Sequence, residues 1–322
     1  MAFIQYRRQP VLRNPVVIAG FAGWNDAADS ATTAVKFLVD RWKPAKLAEI
    51  DIEEFLVFTE TRPSTRLVNG ERVIVWPTNQ FLYHKVPDLD RDIILYLGVE
   101  PQLKWKKFVS GFLEICEHYN VSEILFLGAF LADVPHTRAV PISGFSSRIK
   151  LEERLGELNV NSSRYEGPTG ILGVLHDACH RANMPTASFW AAAPHYLAAT
   201  PNIKVASALL GHLNSFLSLD LDLSDIQAEA TSFEEHITAL VARDPEASAY
   251  VQKLEQQIAG LRDDDEEDDE DDDGGIIFNP DRAAGTGPLP SADVLIRGVE
   301  ELLRKQREHN QTDSDDDEDE EE

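Results

Sequence analysis

Residues 15–42, PVVIAGFAGWNDAADSATTAVKFLVDRW, decide the fold class. Residues 15–20 are an apolar, largely β-branched run closed by glycine, the pattern of a buried strand. Asn25 then stands as an N-cap, and a helical stretch runs to about Trp42. The alternation continues along the chain, with apolar runs at 47–52, 93–99, 123–130 and 187–193 read as strands. Amphipathic stretches at 105–119, 169–183 and 203–219 read as helices. Strand–helix alternation implies a mainly parallel sheet with helices on both faces. Asn69-Gly70, between apolar flanks at 66–76, is a hairpin signal. It adds an antiparallel pair, so the expected sheet is mixed.

After residue 224 the character changes. Residues 225–242 and 246–262 are two helical segments parted by Asp244-Pro245. Phe233, Ile237, Leu240 and Val241 give the first an apolar stripe; Tyr250, Val251, Leu254 and Ile258 give the second one. They read as a helical hairpin packed on the sheet or on another subunit. The expected division is an α/β core at 1–222, the hairpin at 223–262, an acidic disordered linker at 263–290, a C-terminal helix at 291–309 and an acidic disordered tail at 310–322. There is no internal repeat.

The charge follows that division. The 322 residues carry a net −26, but 11 carboxylates lie in residues 263–273 and 9 in 313–322. Setting these aside leaves 36 acidic residues against 30 basic ones, an ordinary surface near −6. Nucleic acid is a poor ligand for such a chain, which lacks the clustered Lys and Arg that neutralise phosphates. An anionic membrane surface is disfavoured for the same reason. No apolar run reaches the ~20 residues that span a bilayer. The N-terminal residues lack a signal-type apolar stretch, and two cysteines make no disulfide framework, so a cytoplasmic location is expected.

Ligands of open α/β sheets bind at the carboxyl ends of the parallel strands. The polar residues expected there are Asn25, Asp26, Glu100, Asp133, His136, Arg138, Glu166 and His195. The turn at Gly20–Asp26 has the order of an anion-binding strand–turn–helix, but Asp26 and Asp29 would repel a phosphate. Gly167-Pro168-Thr169-Gly170 opens a second helix, with Thr169 as its cap. His136 and Arg138 with Asp133 look the most catalytic, though no Gly-x-Ser-x-Gly nucleophile motif accompanies them. His176 and His180 have zinc-ligand spacing, yet Asp177 replaces the glutamate base, no third ligand follows, and both histidines are expected on the polar side of their helix. Asp269–Gly274 opens like a calcium loop, but Pro280 stands where the bidentate glutamate is needed. No metal and no cofactor is expected.

Taken in order, Gly20-Phe-Ala-Gly-Trp-Asn-Asp-Ala27, Glu100-Pro101, Gly128-Ala129, Leu131-Ala-Asp-Val-Pro-His-Thr-Arg138, Tyr165-Glu-Gly-Pro-Thr-Gly170 and Trp190 with Pro194-His195-Tyr196 resemble the proteasome assembly chaperone 2 family, in its bacterial, actinobacterial-type branch. The resemblance spans roughly residues 10–260 and the final helix. It implies a three-layer, phosphorylase/hydrolase-like α/β core with a C-terminal helical addition. It also implies a non-enzymatic role, binding proteasome α-type subunits during ring assembly, in some members through a C-terminal hydrophobic-Tyr-x tail. Here the sequence closes on Glu320-Glu321-Glu322, so docking through such a tail is not expected.

Two readings follow. In the first, the chain is an assembly-chaperone-like binding protein that forms a homo-oligomer and meets a proteasome-like or ATPase-ring partner. In the second, it is a small-molecule-binding protein or an enzyme of nucleoside phosphorylase or hydrolase type that uses the strand-end cleft. Convergence of the rim side chains on one open pocket favours the second reading; pairing among themselves favours the first.

Overall fold

Apolar runs too hydrophobic to face water on either side form the centre of the molecule. In the computed structural model, which describes residues 3–68, 70–162 and 165–264, the elements follow in this order. They are β1 (Ile4–Tyr6), β2 (Val16–Ala22), α1 (Ser30–Trp42), β3 (Ala45–Ile50), β4 (Ser64–Val68), β5 (Glu71–Val75), β6 (Asn79–His84), β7 (Ile93–Val99) and α2 (Trp105–His118). There follow β8 (Glu123–Ala132), β9 (Ile142–Ser146), α3 (Ile149–Gly156), β10 (Asn161–Ser162), α4 (Ile171–Arg181), β11 (Thr186–Pro194), α5 (Ile203–Leu217), α6 (Ser224–Val241) and α7 (Pro245–Asp264).

Among the described residues, nine strands form one sheet in the order β1-β3-β6-β7-β2-β8-β11-β9-β10. The four central strands, β7, β2, β8 and β11, run parallel. Antiparallel pairing attaches β6, β3 and β1 on one flank and β9 on the other. The sheet is therefore mixed, as expected, but for a different reason. The hairpin β4–β5 makes its own two-stranded sheet and pairs with no strand of the main one. The antiparallel members come from short, half-polar strands that carry little apolar signal, such as β6 and β9.

Helices cover both faces, giving three layers. Val35 and Leu38 of α1, Leu155 of α3 and Leu209 and Leu213 of α5 pack on one face. Phe108, Phe112 and Cys116 of α2 and Leu172, Leu175 and Cys179 of α4 pack on the other. That second face holds an aromatic cluster in which Tyr96 stands with ring centroids 4.5–5.2 Å from Phe21, Phe81 and Phe112. Offset and edge-on ring contacts of this kind add to the area they bury.

The helical addition is a hairpin of α6 and α7, with Pro245 at the first position of α7, where its missing N–H costs nothing. Its apolar stripe, Ile237, Val241, Val251 and Leu254, is buried against Tyr196 and Leu197 just after β11. The stripe is thus consumed within the chain. The acidic linker, the C-terminal helix and the acidic tail expected from the sequence lie outside the described residues, as does Asn69 of the hairpin turn.

Two local expectations are corrected. Helix α1 does not start at an Asn25 cap. It starts at Ser30, after a short 3-10 turn at Ala27–Asp29. The cap is instead Asp26, whose carboxylate accepts from the backbone N–H of Ala31 (2.6 Å) and Thr32 (3.3 Å) and from the Thr32 hydroxyl (2.5 Å). His176 is not on a polar face: it is buried between Phe126 and Phe145, with Nδ1 2.9 Å from the Thr186 hydroxyl. Burial holds its pKa down at about 4, so it is a neutral core residue.

Candidate functional site

Because β7, β2, β8 and β11 run parallel, the residues after each of them meet at one end of the sheet. Two groups form there.

The first is centred on Glu100, directly after β7. Its Oε2 accepts from the backbone N–H of Trp24 at 3.1 Å, and its Oε1 accepts from Asn25 Nδ2 at 3.0 Å and from the backbone N–H of Ile171 at 2.8 Å. One carboxylate thereby joins the turn after β2 to the start of α4. Thr169 does not cap that helix. The residue preceding α4 is Gly170, which makes no side-chain cap, and the anion at the helix start is supplied by Glu100 from another strand. Two glycines make the close approach possible. Gly23 has φ +126°, and a Cβ there would lie 3.1 Å from that of Glu100; a Cβ on Gly170 would lie 2.3 Å from Asn25 Oδ1. Asn25 is buried, with Oδ1 unpartnered among the described residues. Beside it, burial raises the Asp26 pKa to about 6 against the pull of its Thr32 and Ala31 hydrogen bonds.

The second group follows β8 and β11 and lies under the α6–α7 hairpin. The backbone N–H of His136 donates to the Tyr196 hydroxyl at 2.7 Å, and that hydroxyl lies 2.8 Å from His136 Nδ1. His136 Nε2 is 3.2 Å from the Thr238 hydroxyl, which donates to the Glu234 carbonyl at 2.8 Å. One proton arrangement satisfies the whole chain: Tyr196 donates to Nδ1, and the proton on Nε2 goes to Thr238. That arrangement requires a neutral imidazole. Burial, then the nearby Lys204 ammonium, lowers the His136 pKa to about 4, which keeps it neutral. Lys204 Nζ donates to the His136 carbonyl and to Glu234, both at 2.5 Å. Thr137 donates to Glu255 of α7. His195 Nδ1 lies 3.2 Å from Asp133 Oδ1, and Nε2 lies 3.3 Å from the Tyr250 hydroxyl of α7. Burial raises the pKa of that hydroxyl to about 12.

Arg138 and Glu166 belong to neither group, and both are exposed. Arg138 lies at the mouth of a small cavity lined by Pro135, His136, Pro194, Asn202, Lys204 and Phe233, with room of about 10 Å³, the space of one water molecule.

Among the described residues, the strand ends therefore collect Asn25, Asp26, Glu100, Asp133, His136 and His195, but the hydrogen bonds divide them between two sides and do not aim them at one open pocket. Asp26, Glu100 and the Nδ2 group of Asn25 are engaged on the β2–β7 side, with Asn25 Oδ1 left over among the described residues; Asp133, His136 and His195 are engaged beneath α6 and α7. Sequence reasoning missed the partners Lys204, Glu234, Thr238 and Glu255, and read Tyr196 only as part of a motif and Tyr250 only as part of an apolar stripe. The available signal was polar residues on the inward sides of helices otherwise recognised by their apolar stripes. Among the described residues, no group of three or more His, Cys, Asp or Glu side chains is placed to hold a metal ion, and no helix is long and apolar enough to cross a membrane.

Comparison with known proteins places this geometry. The sequence profile of the PAC2 family matches residues 20–241. A PAC2 family protein from Streptomyces avermitilis is 37% identical, over 74% of this chain and 99% of its own, with a TM-score of 0.66. A proteasome-assembly chaperone homologue from Mycobacterium tuberculosis is 40% identical, over 73% of this chain and 99% of its own, also with a TM-score of 0.66. An archaeal proteasome activator from Pyrococcus furiosus, 20% identical over 73% of this chain and 97% of its own, shares the fold with a TM-score of 0.60. None of the curated proteins matches the chain. Both the strand-end motifs and the architecture thus lead to one assignment: the chain belongs to the PAC2 family.

Proposed function

We propose that this chain is a protein-binding, assembly-chaperone-like protein that acts without catalysing a reaction, self-associates, and has a proteasome-related partner. The observation that carries the reading is the engagement of the strand-end side chains. Glu100 spends both oxygens on three N–H donors from two other elements. His136 spends both ring nitrogens on Tyr196 and Thr238. A general base needs a free lone pair facing its substrate, and an enzyme cleft needs several hundred cubic ångströms; the cavity beside His136 has neither. The 40% identity to a proteasome-assembly chaperone homologue supports the choice of partner. Self-association is supported by apolar side chains left exposed on the β4–β5 hairpin.

The experiment is to mix the full chain with purified actinobacterial proteasome α-type subunits and follow ring assembly by native mass spectrometry. A complex at micromolar concentration, with faster ring formation, is the expected result. No complex, combined with saturable binding of a small molecule at the strand ends, would overturn the reading.

A further inference from the structure

Half of the exposed large hydrophobic side chains among the described residues lie on the β4–β5 hairpin and its exit. They are Leu67, Val68, Ile74, Val75 and Trp76, five of ten. The pairing of β4 with β5 sets Leu67 opposite Arg72 and Thr65 opposite Ile74, so these four share one face. Leu67 and Ile74 are 71% and 56% exposed there, and Trp76, 51% exposed, follows directly after β5. Among the described residues neither strand pairs with any strand but the other. A two-stranded hairpin is marginal in water unless further strands or a packed helix support it. Three arginines of this excursion, Arg62, Arg66 and Arg72, are exposed and make no ion pair among the described residues.

From this we infer that the C-terminal segment of the same chain covers the hairpin. Residues 291–309 dock as a helix and lay the stripe of Val294, Leu295, Val299, Leu302 and Leu303 on the face of Leu67 and Ile74. The inference goes beyond the reading above: self-association through these hairpin side chains then requires the segment to leave.

Four observations select this occupant. First, both surfaces need cover. The stripe of residues 294–303 recurs at helical spacing, and the stripe of α6 and α7 is already consumed against Tyr196 and Leu197. Second, the lengths agree. The stripe spans about 14 Å of helix, and the five residues of β5 span about 17 Å. Third, the charges are opposite. Residues 265–322 carry 23 carboxylates against 5 basic side chains, and acidic runs stand on both sides of the stripe, at 265–273 and 313–322. Either end of the docked helix therefore brings carboxylates to the unpaired arginines. Fourth, the segment reaches. Helix α7 ends at Asp264, and residues 265–290 stretch to about 85 Å when extended, against a radius of gyration of about 18 Å for a body of this size. Tethering gives the segment an effective concentration on the order of 1 mM, well above that of a second copy in micromolar solution.

The test is the reactivity of a thiol placed on the covered face. Thr65→Cys puts one there and leaves the apolar side chains in place; Thr65 is exposed, and the native Cys116 and Cys179 are buried and give no background. An intrinsic Kd of about 0.1 mM leaves about one tethered chain in ten undocked. The full chain carrying T65C should therefore react with a thiol reagent about tenfold more slowly than the same chain with V299D and L302D added. The slow rate should not change on dilution. Circular dichroism and the unfolding midpoint check that both proteins keep the fold. R72E, added to T65C in place of the two stripe changes, should give a rate between the two. Equal rates with and without V299D and L302D overturn the inference, and a rate that R72E leaves unchanged overturns its charge match. Protection that disappears on dilution means that a second copy covers the hairpin, which overturns docking within the chain while supporting the self-associating reading.

Discussion

Glu100, at the end of β7, accepts the backbone N–H of Ile171 at 2.8 Å and so caps a helix that begins 71 residues later in the chain. The same carboxylate holds Trp24 and Asn25, which makes it the joint between three elements of the central fold. Glu100→Ala should destabilise the chain by about 2 kcal/mol, since it leaves two part-buried donors, Asn25 Nδ2 and the backbone N–H of Ile171, without their acceptor. Glu100→Gln, which keeps one acceptor oxygen, should cost less. Urea unfolding of the three proteins checks the order. A catalytic Glu100 would instead leave stability nearly unchanged on substitution.

Gly170→Ala tests the same joint from the other side. Its Cβ would collide with Asn25 Oδ1, and overpacking of this kind costs about 1–3 kcal/mol. If Gly170 serves a ligand rather than Asn25, the unfolding midpoint of the alanine variant will match the parent.

Tyr196→Phe removes the hydroxyl that serves both the backbone N–H and Nδ1 of His136. The expected loss is about 1–3 kcal/mol. It should be seen first as faster amide exchange in α6 and α7, because Tyr196 is also part of the surface on which these helices pack. Uniform loss of protection across the sheet would contradict the local role.

The pH dependence has two opposing parts. His136 and His176 have folded pKa values of about 4, below the unfolded value of 6.5. Above pH 6.5 they are neutral in both states and have no effect. As pH falls from 6.5 towards 4 the unfolded chain takes up protons that the folded one refuses, and each histidine withdraws up to roughly 3 kcal/mol. Asp26 works the other way. Its folded pKa of about 6 lies above its unfolded value of 3.8, so its contribution is present below pH 3.8 and lost as pH rises through 6. Between pH 7 and 5 the parent should lose stability. His176→Gln should flatten that slope, and Asp26→Asn, which removes the opposing group, should steepen it. Identical slopes in all three proteins would contradict these assignments.

The strands that fill the sheet centre were legible because they are buried on both faces and carry unbroken apolar runs; β2, β7, β8 and β11 all have this character. The edges were not. β6 mixes Asn79, Gln80 and His84 with Phe81 and Leu82, and β10 has two residues; neither length nor periodicity marks them. At the strand ends the residue types were legible and their use was not. An acid near a helix start reads as that helix's own cap, and only the fold shows that Glu100 caps α4 while Asp26 caps α1. The histidines look catalytic in sequence because their partners Tyr196, Thr238 and Tyr250 lie 55–102 residues away along the chain.

The central claim is that the strand-end side chains hold the structure together and await no small substrate. Its most direct test is thermal unfolding of the full chain with nucleosides, inorganic phosphate and acyl compounds, each at millimolar concentration. A ligand present at about a hundred times its Kd stabilises by about 2.7 kcal/mol, which shifts the midpoint by several degrees. The account predicts no shift from any of them. A saturable shift that His136→Asn or Glu100→Gln abolishes would contradict it.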